Sequence, residues 1–443
     1  MYVKSLHLEN VKGFQNLNFD FERPDGNYAG WTVFVGGNSS GKSTLLKSIA
    51  LALMGPDVGR QSGNVLGWIR QGERRSTAEL QIVWDAQYDN FRKGGKSPSN
   101  PFQAGVRWQF ETEQSDIPVF RVMEKRASGT RIKTAERGPW AVNPQGWFSA
   151  GYGPWRRLSG SSSESMSYAA RGGVFGRYVT LFREDAALSE SEEWLRIQHS
   201  RWLEGQRPEL QYLLDGVKAL LGDDLLPHGM QIDKITVDHV FIKDRLGLQV
   251  PMRDISDGCR SVYATILDIV HGLFEVYGSE GLFIQDGQGH WVVQRPGVVI
   301  IDEIEAHLHP AWQKKIPDWL KIHFPKIQFL VGTHSPLIAQ AADPNGIFVL
   351  PLQDDLELKP RRLNADECEK IRLGKAEKTL LGVAFGLKDT RTPWANKQIA
   401  KWEKMSAKKK AGGKFGAQEE KQFKELHRQM NLAFEIYPEP EIS

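Results

Sequence analysis

Two periods of apolar residues organise this chain. Trp31 to Val35, Gly297 to Ile301 and Ile327 to Val331 are short, almost uninterrupted apolar runs rich in β-branched residues, the pattern of strands buried on both faces of a parallel sheet. Ala78 to Asp85, Gly105 to Thr112 and Ile117 to Lys125 alternate apolar and polar residues, which predicts antiparallel strands; Ile232 to Val240 and Leu246 to Val250 add further strands. Ile347 to Leu350 reads as the strand that ends the sheet. Helical spacing appears in Thr44 to Leu53, in Val262, Ile266, Ile269 and Val270, and from Leu188 to Leu221, where Trp194, Leu195, Ile197, Trp202 and Leu203 are the apolar positions. Two last helical stretches, Trp394 to Lys410 and Gln418 to Phe434, are parted by Gly412-Gly413 and predict a C-terminal hairpin. The expected architecture is α/β: a head over residues 1–350, holding a flexible and helical insert at 155–225, then a helical region over 351–443.

Chemistry enters where these elements meet. Gly36-Gly37-Asn38-Ser39-Ser40-Gly41-Lys42-Ser43, followed by Thr44, satisfies G-x-x-x-x-G-K-[ST] between a predicted strand and a predicted helix. In that setting backbone N–H groups and a helix N-terminus converge on one anion site. Lys42 is then placed for the β- and γ-phosphates of ATP, and the Ser43 hydroxyl for Mg²⁺. Asp302 and Glu303 end the second apolar run, which delivers two carboxylates to the phosphate region: Asp302 as a second Mg²⁺ ligand, Glu303 as a general base that polarises water. A kinase has no use for that glutamate, so the pair favours hydrolysis. The third run ends in Thr333-His334, putting a histidine near the expected γ-phosphate position. Ser256-Asp257-Gly258 opens another helix and forms a second candidate anion site.

With these motifs the chain resembles an ABC-type P-loop ATPase head of the SMC/OLD-like AAA group. Val3 to Phe14 is similar to that group's first strand, Asn38 sits where its P-loops carry asparagine, Ser256-Asp257-Gly258 resembles its ABC signature, and Glu305 to Pro310 resembles its D-loop. The resemblance implies a mixed sheet with helices, an antiparallel β subdomain, and a homodimer or higher homo-oligomer whose ATP sites are composite, the signature of one subunit capping ATP on another. Cys259 departs from the aromatic residue common after the signature. A Q-loop is harder to place. Trp68 to Glu73 reads as a plain connection before a strand, whereas Trp147 to Arg157 reads either as a mobile loop near phosphate or as a rigid surface turn.

Composition narrows the setting. The chain has 443 residues, 40% hydrophobic and 25% charged, enough for one large core with appended elements, and far too short an insert for a long coiled-coil arm. It has no apolar stretch of membrane-spanning length, so no membrane partner is expected, and two cysteines without metal spacing predict a reducing cytoplasm. The net charge of +3 says little, but Trp394 to Met430 carries ten Lys or Arg against four acids, with Lys408-Lys409-Lys410 at the hairpin apex. That face is either simply solvated or a surface for DNA, RNA or an acidic partner. OLD-type nucleases carry a Toprim domain after the ATPase. Here the tail offers Asp354-Asp355 and scattered acids, so no nuclease site is expected in the chain. The chain looks most like ATPase subunits of bacterial anti-phage systems, the Septu type with its HNH nuclease partner first and the PARIS type with its Toprim effector second. The alternative is a repair-type head that clamps DNA directly.

Overall fold

Buried apolar strands must find backbone partners inside the protein, and here they do so in two large sheets. The structure is a computed structural model; it describes the chain except for residues 57–66, 93–97, 113–117, 124–133, 156–172, 187, 226–228, 351–358 and 436–443. One sheet has six strands in the order β16 (Arg361–Arg362), β15 (Ile347–Val349), β3 (Gly30–Val35), β14 (Ile327–Thr333), β13 (Gly297–Asp302) and β7 (Ser149–Tyr152), parallel apart from the β15–β16 edge. The other is antiparallel, in the order β2 (Phe14–Asp20), β1 (Tyr2–Val11), β4 (Arg75–Val83), β5 (Phe102–Gln109) and β6 (Val119–Val122). A three-stranded ribbon, β8 (Gln231–Ile235), β9 (Val240–Lys243) and β10 (Gln249–Pro251), and the hairpin β11 (Phe283–Gln285) with β12 (Trp291–Val293) complete the β structure of the described residues. This is the mixed-sheet P-loop head with an antiparallel β subdomain.

The period of two along the strands decides the layering. Val298 and Ile300 of β13 face a core shared with the antiparallel sheet and α1 (Lys42–Met54), whereas Val299 and Ile301 face the opposite core. The second core is filled by α2 (Ser189–Gly205), α3 (Pro208–Gly222), α4 (Asp257–Tyr277) and α5 (Pro310–His323). The long helical pattern from Leu188 to Leu221 is thus two helices. Gln206 adopts φ 45° and Pro208 occupies the first turn of α3, which stops one helix and starts the next.

Two edges of the six-stranded sheet differ from the sequence expectation. Ser149–Tyr152, expected inside a loop, is a fully buried strand beside β13. Its composition hides it: Gly151 and Gly153 are needed because a Cβ there would lie 2.5 Å from Tyr178 Cδ1 and 2.2 Å from the Thr180 carbonyl oxygen, respectively. At the other edge the sheet continues past Leu350 to β16, two arginines with no strand pattern, whose charge suits an exposed edge. The flexible stretch of the expected insert, 156–171, and the acids Asp354 and Asp355 lie outside the described residues.

The chain forms two compact units, Met1–Thr379 with Val383–Phe385, and Leu380–Gly382 with Gly386–Ser443. The head therefore includes α7 (Ala365–Arg372), beyond the expected boundary at 350; between α5 and α7 lies the short α6 (Pro336–Gln340). The second unit contains the predicted hairpin, α8 (Pro393–Lys410) and α9 (Ala417–Glu435), turned at Gly412 with φ 76°. Its apex lysines are partly engaged. Lys408 pairs with Glu419 at 3.1 Å and Lys409 with Glu420 at 2.9 Å, and both ammonium groups lie over the Phe415 ring. Reversing their charge would therefore disturb the hairpin itself.

One buried side chain joins the sheets. β1 has a bulge between Val3 and Ser5, and the Val3 N–H donates to Gln328 Oε1 at 2.7 Å while Gln328 Nε2 donates to the Val3 carbonyl at 2.8 Å. Gln328→Met keeps the volume but strands two buried backbone groups, so it is expected to lower stability by about 2–4 kcal/mol, read as an earlier urea midpoint. A loss below about 1 kcal/mol would show that the bridge contributes little.

Candidate active site

Register brings the three predicted chemical segments to one edge. Gly332 of β14 pairs with Asp302 of β13 on one side and with Phe34 of β3 on the other, so β3, β13 and β14 release the P-loop, Asp302-Glu303 and Thr333-His334 side by side.

The P-loop geometry follows from its glycines. Gly41 caps α1 at φ 95°, and a Cβ there would lie 2.6 Å from the Phe14 ring; a Cβ on Gly36 would lie 2.7 Å from Ser40 Oγ. Ser39 is also left-handed, at φ 61°. Among the described residues, the amide N–H groups of Asn38, Ser39 and Gly41 donate no hydrogen bond within the chain, and the buried Ser40 hydroxyl has no partner. An unmatched concave set of donors at a helix N-terminus fits a phosphate chain. Lys42 is 5% exposed and its Nζ donates to the carbonyls of Gly36 at 2.9 Å and Gly37 at 3.0 Å, across the same loop. Burial pushes its ammonium down to about 8, against the opposing pull of Asp302, Glu303 and Glu305. Ser43 is exposed and Thr44 half-buried.

The facing carboxylates are placed by the absence of a side chain. A Cβ on Gly332 would lie 2.7 Å from Asp302 Oδ1 and 3.0 Å from Leu46 Cδ1, so the Asp302 carboxylate has its space at the strand end because β14 carries no side chain there. Asp302 is 2% exposed. A buried carboxylate within the field of a lysine, next to a helix that presents a serine hydroxyl, has the oxygen-donor chemistry that Mg²⁺ takes. The chain then turns sharply. Glu303 has φ 49°, its N–H donates to the Gly332 carbonyl at 2.9 Å, and Ala306 N–H donates back to the Glu303 carbonyl at 3.0 Å. A non-glycine residue held in this conformation is strained, as residues at functional turns often are.

Glu305 has a larger part than its place in a D-loop resemblance implied. Thr333 Oγ1 donates to Glu305 Oε2 at 2.8 Å and the His334 N–H donates to Oε1, so one carboxylate fixes the end of β14 and the base of the histidine. Ser335 Oγ donates to Gln313 Oε1 at 2.6 Å and also caps α6, extending the clamp to α5. The only sequence signal was spacing: a third acid two residues past Glu303. His334 is held below its ordinary range, first by burial and then by the charge of Lys42, so its ring is neutral near pH 7.

Ser256, Asp257 and Gly258 lie at the start of α4. Their polar contacts stay local: Ser256 Oγ donates to Cys259 Sγ at 2.9 Å, and Asp257 pairs with Arg260. Gly258 packs on the turn after Glu303, where a Cβ would meet the His307 carbonyl oxygen at 2.6 Å. The Ser-Asp-Gly segment is thus packed on the D-loop-like turn. Trp68 to Glu73 is a connection, with Ile69 bridged to Val11 and Arg70 Nη1 donating to the Gly13 carbonyl at 2.8 Å. Beyond β7, Arg156 and Arg157 lie outside the described residues.

The chain is similar to known proteins over most of its length. Residues 5–137 match an AAA domain family, and residues 179–339 match the family described as "AAA domain, putative AbiEii toxin, Type IV TA system". The chain is 23% identical over 396 residues to Septu protein PtuA of Bacillus mycoides (strain KBAB4), covering 88% of this chain and 45% of that protein. It is 24% identical over 403 residues to the Retron Ec83 probable ATPase of Escherichia coli, covering 79% of this chain and 71% of that one. A Pyrococcus furiosus Smc head domain with bound ScpA C-terminal domain superposes with a TM-score of 0.47 at 16% identity, over 84% of this chain and 98% of that one. The chain spans less than half the length of the Septu relative. Among the described residues no helix is long and apolar enough to cross a membrane.

The lowered Lys42 ammonium is expected to make nucleotide affinity dependent on pH. Below about 8 it is charged in the nucleotide-free protein; above that value phosphate binding must also take up a proton. The dissociation constant of a fluorescent ATP analogue is expected to be flat from pH 6.5 to 7.5 and then to rise toward about tenfold per pH unit. Lys42→Arg, whose charge does not titrate in this range, should flatten the rise.

Proposed function

Taking this chain as an ATPase head of the SMC/OLD-like AAA group, we propose that it is the ATP-hydrolysing regulatory subunit of a bacterial anti-phage complex that scaffolds and controls a nuclease effector. The observation that carries the catalytic part is the convergence of Lys42, Asp302, Glu303 and His334 at neighbouring strand ends, with Asp302, Glu303 and Glu305 all within electrostatic reach of the Lys42 ammonium. The P-loop amides and Lys42 bind the phosphates of ATP, Ser43 and Asp302 hold Mg²⁺, Glu303 accepts the proton of the attacking water, and neutral His334 contacts the γ-phosphate. The bound Mg²⁺ neutralises charge on the β- and γ-phosphates. Glu305 acts as a positioning residue for His334 through the β14 backbone.

The defence role is supported by the two relatives, whose names place them in Septu and retron systems. Ser256 to Gly258, turned toward the D-loop-like segment, suits a homodimer or higher homo-oligomer in which one subunit's signature caps ATP on another. The basic hairpin, which carries no nucleotide motif, is the surface assigned to an HNH- or Toprim-type nuclease partner, or to DNA or RNA. The reading places the complex in the cytoplasm.

Glu303→Gln keeps the shape of the base and removes its charge and proton affinity, so single-turnover hydrolysis is expected to fall by a factor on the order of 10² or more with ATP still bound. Parental turnover in that variant would exclude Glu303 as the base. Lys42→Ala is expected instead to weaken ATP binding. Ser256→Arg and Lys42→Ala chains, each inactive alone, are expected to regain part of the activity as exchanged heterodimers; verified heterodimers without rescue would exclude shared sites.

A further inference from the structure

Asp223, His290 and His323 take no part in the nucleotide machinery, yet three separate elements bring them together. Asp223 follows α3, His290 ends the turn between β11 and β12, and His323 is the last residue of α5. Asp223 Oδ2 lies 2.9 Å from His290 Nδ1 and 3.7 Å from His323 Nε2, and the three candidate ligand atoms all fall within 4.8 Å of one another. A tetrahedral ion with bonds of about 2.0–2.1 Å holds its ligand atoms about 3.3 Å apart, inside this spread.

The remaining faces of these side chains are already fixed. His323 Nδ1 lies 2.6 Å from the Trp291 carbonyl, which can only accept, so Nδ1 carries the proton and Nε2 turns a lone pair toward the Asp223 carboxylate. The ring is also clamped. Trp319 packs on it at 4.1 Å between centroids and donates its indole N–H to the Asp223 backbone carbonyl at 2.8 Å. The His290 turn is held by the His290 N–H donating to Asp286 Oδ1 at 2.9 Å. Backbone carbonyls and fixed rings of this kind are what orient metal-bound histidines. Asp223 and His290 are 28% and 36% exposed, leaving a side open for entry and a water ligand.

We propose that Asp223, His290 and His323 bind one divalent transition-metal ion of the zinc type. Two imidazoles and one carboxylate favour zinc over Mg²⁺ or Ca²⁺, which take oxygen ligands. The ion fastens the end of α5, the helix that starts directly after the Glu303 turn, to the β11–β12 hairpin and to α3.

The full chain, stripped with chelator and desalted, is titrated with Zn²⁺ in excess Mg²⁺ against a chromogenic competitor. One tight equivalent per chain is expected. His290→Ala, on an exposed turn, should weaken it by at least about 10²-fold, since losing an outer partner alone costs about 10–100-fold. His323→Gln tests the buried ligand. Zn²⁺ should raise the thermal midpoint of the parent but not of either variant, and Co²⁺ in its place should give the visible absorption of a four-coordinate site in the parent alone. No uptake by folded parent protein, or uptake that both variants retain, overturns the site.

Discussion

At the ends of parallel strands the buried Lys42 ammonium lies within electrostatic reach of the buried Asp302 carboxylate, which has its space because β14 has no side chain at position 332. Taking Lys42 and Asp302 out of water separately would be costly; together, in a loop of backbone donors and carbonyls, each lowers the other's cost. That requirement sets the register of β3, β14 and β13, since a slip of one residue would turn Asp302 from its neighbour Gly332 and reverse which side chains enter each core. The layers then follow from the same register: apolar residues on one face pack on α1 and the antiparallel sheet, those on the other on α2 to α5.

The site is also tied to distant elements by polar contacts buried in these cores. Tyr152 of β7 donates to Asp268 Oδ2 at 2.8 Å and Ser191 of α2 donates to Oδ1 at 3.0 Å, so a carboxylate whose pKa is raised by burial locks the edge strand and α2 onto α4, the helix that starts at Ser256. Arg177 adds a donor to the Ser149 carbonyl at 3.0 Å. Gly258 rests on the turn after Glu303, and α5 leaves that turn for the Asp223, His290 and His323 cluster. The start of α4 is therefore joined to the edge strand, α2 and the turn after Glu303 by packed and hydrogen-bonded groups.

Much of this was legible in the residues. The P-loop declares itself because tight backbone curvature demands glycines and a phosphate demands a lysine at a set spacing. The β13 and β14 strands declare themselves because a strand covered on both faces must be apolar throughout. Those local rules place Gly36 to Thr44, Asp302, Glu303 and His334 on their elements without reference to the rest of the chain.

Tertiary structure decided what depends on neighbours remote in sequence. Ser149–Tyr152 is a strand only because β13 offers an open edge and Tyr178 leaves room for glycine alone; β16 exists because β15 lends it a partner. Glu305 matters through Thr333 and His334, Gln328 through a bulge in β1, and the Asp223–His290–His323 cluster through the meeting of three elements. The sequence alone determined which segments bear chemistry, since curvature, charge and periodicity are local properties. Pairing partners and the residues that position the chemistry were left to the fold, because burial and contact are properties of pairs of segments.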